Sequence, residues 1–442
     1  MAVGWCEGSR KETMRRWLGP WLSSRLRSSR VWQRRCFHHD PTPVVESVEV
    51  VCGSSGSITV DLHNVTRHAP STPLVLYIPP FSLAPGTQPV VPRFLHPYPT
   101  AVINYRWSAP VPTRQPSSDT VASEDQRHDF STPLQWPTPL HDTLAGYTWI
   151  TENLRPLRSA RRDVYVYSSH AGASIAASLA LTESHHHEPM AVRGLVAWNG
   201  IYNWSMFLPD HKVNKPATAR SKKLPPRPEE GSPLHMLQMK MSELFRAPVD
   251  LLDPFASPSL FFQTAGMMAP STFTQAAAVS SFLDKLSSVT SEVKPSDILG
   301  VTGSAFPAPR RSALVFPPRK STLKLPSTLF LHDSSPTELA PQRRTKKTAS
   351  SLAKELASRT ARRRKVTGHT FEAQTTELAG LMRRSLEKLE FKARMEWDED
   401  FDEVAEAERR VSIVDVGENE GLELGEHGQE VVKEWLENRI RL

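Results

Sequence analysis

The sequence predicts an α/β fold, a mostly parallel sheet with helices on both faces. Two observations carry this. From residue 73 to 198 the chain alternates strand, helix, strand, helix, strand, the rhythm of a sheet joined by helical crossovers. Its apolar runs PLVLYIP (73–79) and AVINYRW (101–107) are continuous rather than alternating, as in strands covered on both faces.

The chain is organised around residues 163–182, DVYVYSSHAGASIAASLALT. Alternating Val and Tyr over Asp163–Tyr167 predict a buried strand. A tight turn follows over Ser168–Gly172, then an Ala-rich helix from Ala173 to Thr182. Small residues at the turn let the helix lie close to the strand. The turn therefore lifts one side chain above the sheet, and the small flanks Ser168 and Gly172 make His170 its centre. Centring it on Ser169 would put Tyr167 where a small residue is needed.

The other elements follow in order. Val44–Val51 and Ser57–Val65, split by Cys-Gly-Ser-Ser-Gly, predict an antiparallel hairpin. Residues 108–135 are polar and Pro-rich and predict a loop. Thr138 as N-cap and Pro139 at the first helical position predict a helix to Leu154. Val192–Trp198 predicts the next strand. Residues 205–325 break the rhythm: 211–233 have the composition of disorder, while a helix over Leu234–Phe245 and the apolar Phe255–Met268 predict a cap, an insertion that is partly disordered. Leu323–His332 resumes the core. Residues 342–368 carry basic runs that predict a solvated helix face or a flexible insert. The alternating charges of the helix over Thr370–Ala393 predict an exposed one. Val411–Val416 and Gln429–Arg441 predict the last strand and the last helix. The organisation expected is thus a leader (1–40), a first half of the core (44–204), the insertion (205–325) and a second half (326–442).

Composition narrows function. The net charge is +7, and residues 1–39 hold all of it, so the basic balance does not predict a nucleic-acid partner. That acid-poor, Arg- and Ser-rich leader spaces Met14, Trp17, Leu18, Trp21, Leu22 and Leu26 helically, the composition of a mitochondrial transit peptide. The alternative is a disordered basic tail on a cytoplasmic protein. No apolar run reaches the ~18 residues of a membrane span. Cys6, Cys36 and Cys52 have no metal spacing, and the consecutive histidines His185, His186 and His187 point in different directions from a loop, so no metal site is expected. No cofactor is expected either. His141-Asp142 falls in a helix's first turn, where Asp favours the helix dipole.

Four stretches carry a family resemblance: VLYIPPFS (75–82), FSTPLQWPTPLHDTLAGYTWI (130–150), VYVYSSHAGASIAASLALTES (164–184) and DPFASPSLFF (253–262). The pattern resembles the α/β-hydrolase superfamily, within the esterase/lipase group, and is most similar to hydrolase-fold proteins of filamentous fungi. The resemblance implies a nucleophile elbow centred on position 170. It implies backbone oxyanion donors at Ala171 and on the loop of Pro79, Pro80, Phe81 and Ser82, whose prolines have no N–H. It implies an acid after the strand ending at Leu331, where Asp333 stands and Pro336 holds the usual acid offset. It implies a base between the last strand and the last helix, where His427 stands. A small ester- or amide-like ligand is the implied partner. His170 replaces the serine, so Ser169, His170, Asp333 and His427 form a degenerate set. Ester hydrolysis is expected to be weak or absent, with a non-catalytic binding protein as the alternative.

Overall fold

The computed structural model describes residues 44–53, 56–80, 89–107, 134–156, 160–208, 211–214, 228, 230–267, 312–334, 369–419 and 423–440. The expected leader, the insert at 342–368, most of the segments 108–135 and 211–233, and residues Phe81, Ser82 and Pro336 lie outside them.

Eight strands form one sheet: β1 (Val45–Val51), β2 (Ser57–His63), β3 (Leu74–Ile78), β4 (Thr100–Asn104), β5 (Arg162–Ser169), β6 (Met190–Trp198), β7 (Ser327–His332) and β8 (Val411–Asp415). Their order is β1-β2-β4-β3-β5-β6-β7-β8. The hairpin β1–β2 and the β2–β4 pair are antiparallel, and every pair from β4 to β8 is parallel. The α/β class is therefore as the sequence predicts, and both β4 and β5 are interior strands.

The helices are α1 (Thr138–Asn153), α2 (Gly172–Thr182), α3 (Pro233–Leu244), α4 (Phe371–Ser385), α5 (Lys392–Met395), α6 (Glu403–Arg410) and α7 (Glu426–Glu437). They cover both faces of the sheet. Leu74, Leu76 and Ile78 of β3 join Val164 and Val166 of β5 in a core with Ile150 of α1, Ala176 of α2 and Leu378 and Met382 of α4. Val75, Tyr77, Tyr165 and Tyr167, on the alternate positions, pack with Val432, Trp435 and Leu436 of α7. The two-residue period of a strand sends neighbours to opposite faces, so both sets being apolar makes the continuous runs seen in the sequence.

Several boundaries, the partner of Asp142 and the exposure of one helix differ from expectation. Thr138 is inside α1 and Pro137 is its N-cap, with no side-chain cap bond. Asp142 is fully buried and is held by Arg106, not by a helix end: Nη2 donates to Oδ1 at 2.7 Å, and Nε and the backbone N–H to Oδ2 at 2.8 and 3.0 Å. The run of 323–332 joins the sheet only from Ser327, Leu323 making an isolated bridge to His185, and α7 begins at Glu426, so His427 is helical rather than in a loop. The helix of 370–393 is not exposed: Ala373, Gln374, Thr375, Leu378, Ala379 and Met382 are buried on the sheet, and regular α-helix ends at Ser385. Its charges occupy one side only, which a reading along the chain does not separate.

Candidate functional site

The turn after β5 is built by close approach of three segments. The Ser168 hydroxyl donates to the Ile78 carbonyl at 2.6 Å. A Cβ added to Gly172 would lie 2.3 Å from the Pro79 carbonyl oxygen and 2.8 Å from Ser168 Oγ. The small flanks are therefore required by contact with the end of β3. Between them His170 adopts φ +52°, a left-handed conformation uncommon for residues with a Cβ and favoured by Asn, Asp and His among them. Its N–H donates to the Trp198 carbonyl at 3.0 Å. Strain of this kind costs of order 1–3 kcal/mol and persists where the surrounding structure over-determines it. Ala171 is the N-cap of α2 and fully buried.

The His170 side chain is not displayed to solvent. It is 4% exposed and sits edge-on to Trp198 (centroids 4.9 Å apart) and Phe371 (5.9 Å). Neither ring nitrogen has a hydrogen-bond partner among the described residues. Burial without a partner disfavours the charged imidazolium, and the pKa falls from the ordinary 6.5 to about 4. At neutral pH this is a neutral imidazole in an aromatic enclosure. The Ser169 side chain, also buried, makes no hydrogen bond among the described residues.

Asp333 is the first residue past β7. Its Oδ1 accepts from the Trp198 indole N–H at 2.8 Å and its Oδ2 from the Asn199 amide at 2.7 Å, while its own N–H donates to Asn199 Oδ1 at 3.0 Å. Burial raises its pKa, against the lowering effect of those two donors. The structure thus brings His170 and Asp333 each into contact with one residue, Trp198, with no direct bond between them. His427 is exposed in the first turn of α7 and forms no hydrogen bond with Ser169, His170 or Asp333. No described group of three His, Cys, Asp or Glu side chains could hold a metal ion.

Trp198, Asn199 and Phe371 were not read as site residues from the sequence. The signal for the second was present: Asn-Gly directly after a continuous apolar strand marks a turn, and Asn199 has φ +47°. Nothing in the sequence pairs Phe371 with position 170.

The sheet order and the elbow after the fifth strand make this an α/β-hydrolase fold. No protein-family model and no curated protein sequence matches the chain. Solved structures similar to it include carboxyl esterase 2 of the mycorrhizal fungus Tuber melanosporum, at 10% identity and a TM-score of 0.44, covering 93% of this chain and 89% of that one. An esterase of Rhizomucor miehei is similar at 12% identity and a TM-score of 0.42, covering 90% and 83%. At such values the superpositions carry no argument of their own, and the fold assignment rests on strand order and the elbow. No helix among the described residues is long and apolar enough to cross a membrane.

Proposed function

We propose that this chain is an esterase-type α/β-hydrolase-fold protein that has lost serine-type ester hydrolysis and retains the fold for binding a small ester- or amide-like ligand. The observation behind this reading is His170: a buried, neutral imidazole at the elbow tip, with no base or acid bonded to it among the described residues. Covalent catalysis needs a nucleophile activated by a bonded base, which a third group orients. Here the carboxylate of Asp333 is occupied by Trp198 and Asn199, and the rings that flank the tip, Trp198 and Phe371, are neither base nor acid. The two prolines after β3 support the same reading, because they remove N–H donors from the oxyanion loop.

The expected result is no stable fluorophosphonate adduct and negligible turnover of short-chain p-nitrophenyl esters. His170→Ser is expected to recover little, since a serine there gains no base. A stoichiometric label on Ser169, abolished by His427→Ala, would overturn the proposal and restore an active esterase.

A fungal relationship and mitochondrial delivery belong to the same reading, the first supported by the four resembling stretches and the second by residues 1–39. Fusing residues 1–45 to a fluorescent reporter is expected to give mitochondrial signal; a purely cytosolic distribution rejects delivery.

A further inference from the structure

A cavity of about 590 Å³ opens at the amino-terminal edge of the sheet, at the opposite end of β5 from His170. It is lined by the starts of β5, β6 and β7 together with the ends of α6 and α7. Six cations face it: Arg161, Arg193, Lys324, Arg409, Arg410 and Arg439. Outside the leader the chain has no net charge, so this is a local concentration.

The carboxylates nearby do not balance it. Asp163 lies 3.1 Å from Arg193 Nε and 3.9 Å from Arg161. Glu406 takes Arg409 by both oxygens, at 2.7 and 2.8 Å. Glu390, outside the lining, pairs with Arg410 at 2.9 Å. Three positive charges remain in excess: Lys324, Arg439 and one of the two arginines that share Asp163. Lys324 and Arg439 have no carboxylate partner among the described residues. Arg439 instead rests on the Trp435 ring, 3.9 Å from its centroid, and donates to the Trp435 carbonyl at 3.0 Å. The Arg410 Nε is buried and unpartnered.

The field is felt by the neighbouring groups. Burial first, then the charges of Arg193 and Arg410 and, more weakly, Lys324, hold the His186 imidazole's pKa below its ordinary value, against the opposing charge of Glu390. Arg439 is likewise lowered, by burial and then by Arg409, against Tyr165. Arginines at helix ends offset the negative pole of the helix, which accounts for the positions of Arg409 and Arg410. Lys324 is on the loop before β7 and has no helix to offset. Its carbonyl and N–H are fixed by Ser184, which holds the side chain at the cavity's rim.

We propose that this cavity binds a small phosphate-bearing molecule, with Lys324 and Arg439 as its principal cations and the buried Nε of Arg410 as a further donor. The volume is that of a ligand pocket. A net excess of three positive charges over the lining matches the multiple charges of a diphosphate better than the single charge of a carboxylate. Guanidinium and ammonium donors together are the usual means of holding phosphate oxygens.

The test is calorimetric titration of the full chain with inorganic pyrophosphate at fixed ionic strength. Saturable binding at one site is expected. Lys324→Gln and Arg439→Gln should each weaken it by about tenfold, the loss of one charge-assisted bond. Arg439 also packs on Trp435, so Lys324→Gln, at an exposed position, keeps the test independent of folding. Lys240→Gln, on α3, should leave affinity unchanged. An adenosine diphosphate arm separates sources: tighter binding than pyrophosphate assigns an organic phosphate, equal binding an inorganic one. Absence of saturation, equal affinity for citrate, or equal weakening by Lys240→Gln would overturn the proposal.

Discussion

Gly172→Ala is expected to lower the thermal unfolding midpoint sharply, although alanine is the better helix former. The new methyl would stand 2.3 Å from the Pro79 carbonyl oxygen, a backbone atom that cannot rotate aside. Ordinary contact begins at 3.4 Å, so the start of α2 and the end of β3 would have to separate by about 1 Å, against a core packed as densely as a crystal. Overpacking usually costs about 1–3 kcal/mol, and a clash with fixed backbone belongs at the upper end or beyond. Gly380→Ala is the control. That glycine is exposed within α4, and nothing lies within 4 Å of its added Cβ. There the change should stabilise by about 0.8–1 kcal/mol through helix propensity alone. Opposite signs for the same substitution would show that the elbow is held by contact with β3. If Gly172→Ala were as stable as the wild type, the close approach would be refuted.

The second large effect is acid sensitivity at His170. In the fold this imidazole's pKa is lowered to about 4, and in the unfolded chain it is about 6.5. Between those values the unfolded state binds the extra proton and the native state does not. Stability is therefore fully present above pH 6.5 and is lost as the pH falls toward 4, at about 1.4 kcal/mol per pH unit. The whole interval is worth about 3 kcal/mol. His170→Asn keeps a residue that tolerates left-handed backbone and cannot take the proton. Denaturant unfolding of both proteins from pH 7.5 to 4 should show a constant difference above pH 6.5 and a wild type that loses about 3 kcal/mol relative to His170→Asn as the pH falls to 4. His63, His185, His186 and His369, whose pKa values are also lowered, are common to both and cancel in the difference. Parallel curves would mean that His170 is protonated in the native state and has a partner. That outcome would also undercut the reading of the elbow tip as catalytically silent.

These two residues differ in how much of their role was legible. A small residue at 172 was legible from the turn, whose length and flanks are local, but the contact that demands glycine, the Pro79 carbonyl, comes from the end of β3. The sequence also showed that histidine, not serine, stands at its centre. The identity of the tip residue is a covalent fact that no packing alters. The enclosure of that histidine is another matter. Trp198 lies 28 positions further along, and Phe371 is on a helix whose charges suggested exposure. Position 333 was found as an acid in the right chain order, but its partners, Trp198 and Asn199, are over 130 residues away. They face it only because β6 and β7 pair in one parallel register.

The sequence by itself determined the α/β class, the elbow and the residue at its tip, because strand period, turn length and side-chain size are local properties. It could not place β4 between β2 and β3, since strand order depends on which apolar faces bury each other across the whole chain. Nor could it gather Arg161, Lys324, Arg410 and Arg439 into one cavity. Each is unremarkable where it stands in the chain. Their joint field exists only where the sheet's edge and two helix ends bring like charges together, because electrostatic energy depends on distance in space and not on separation along the chain.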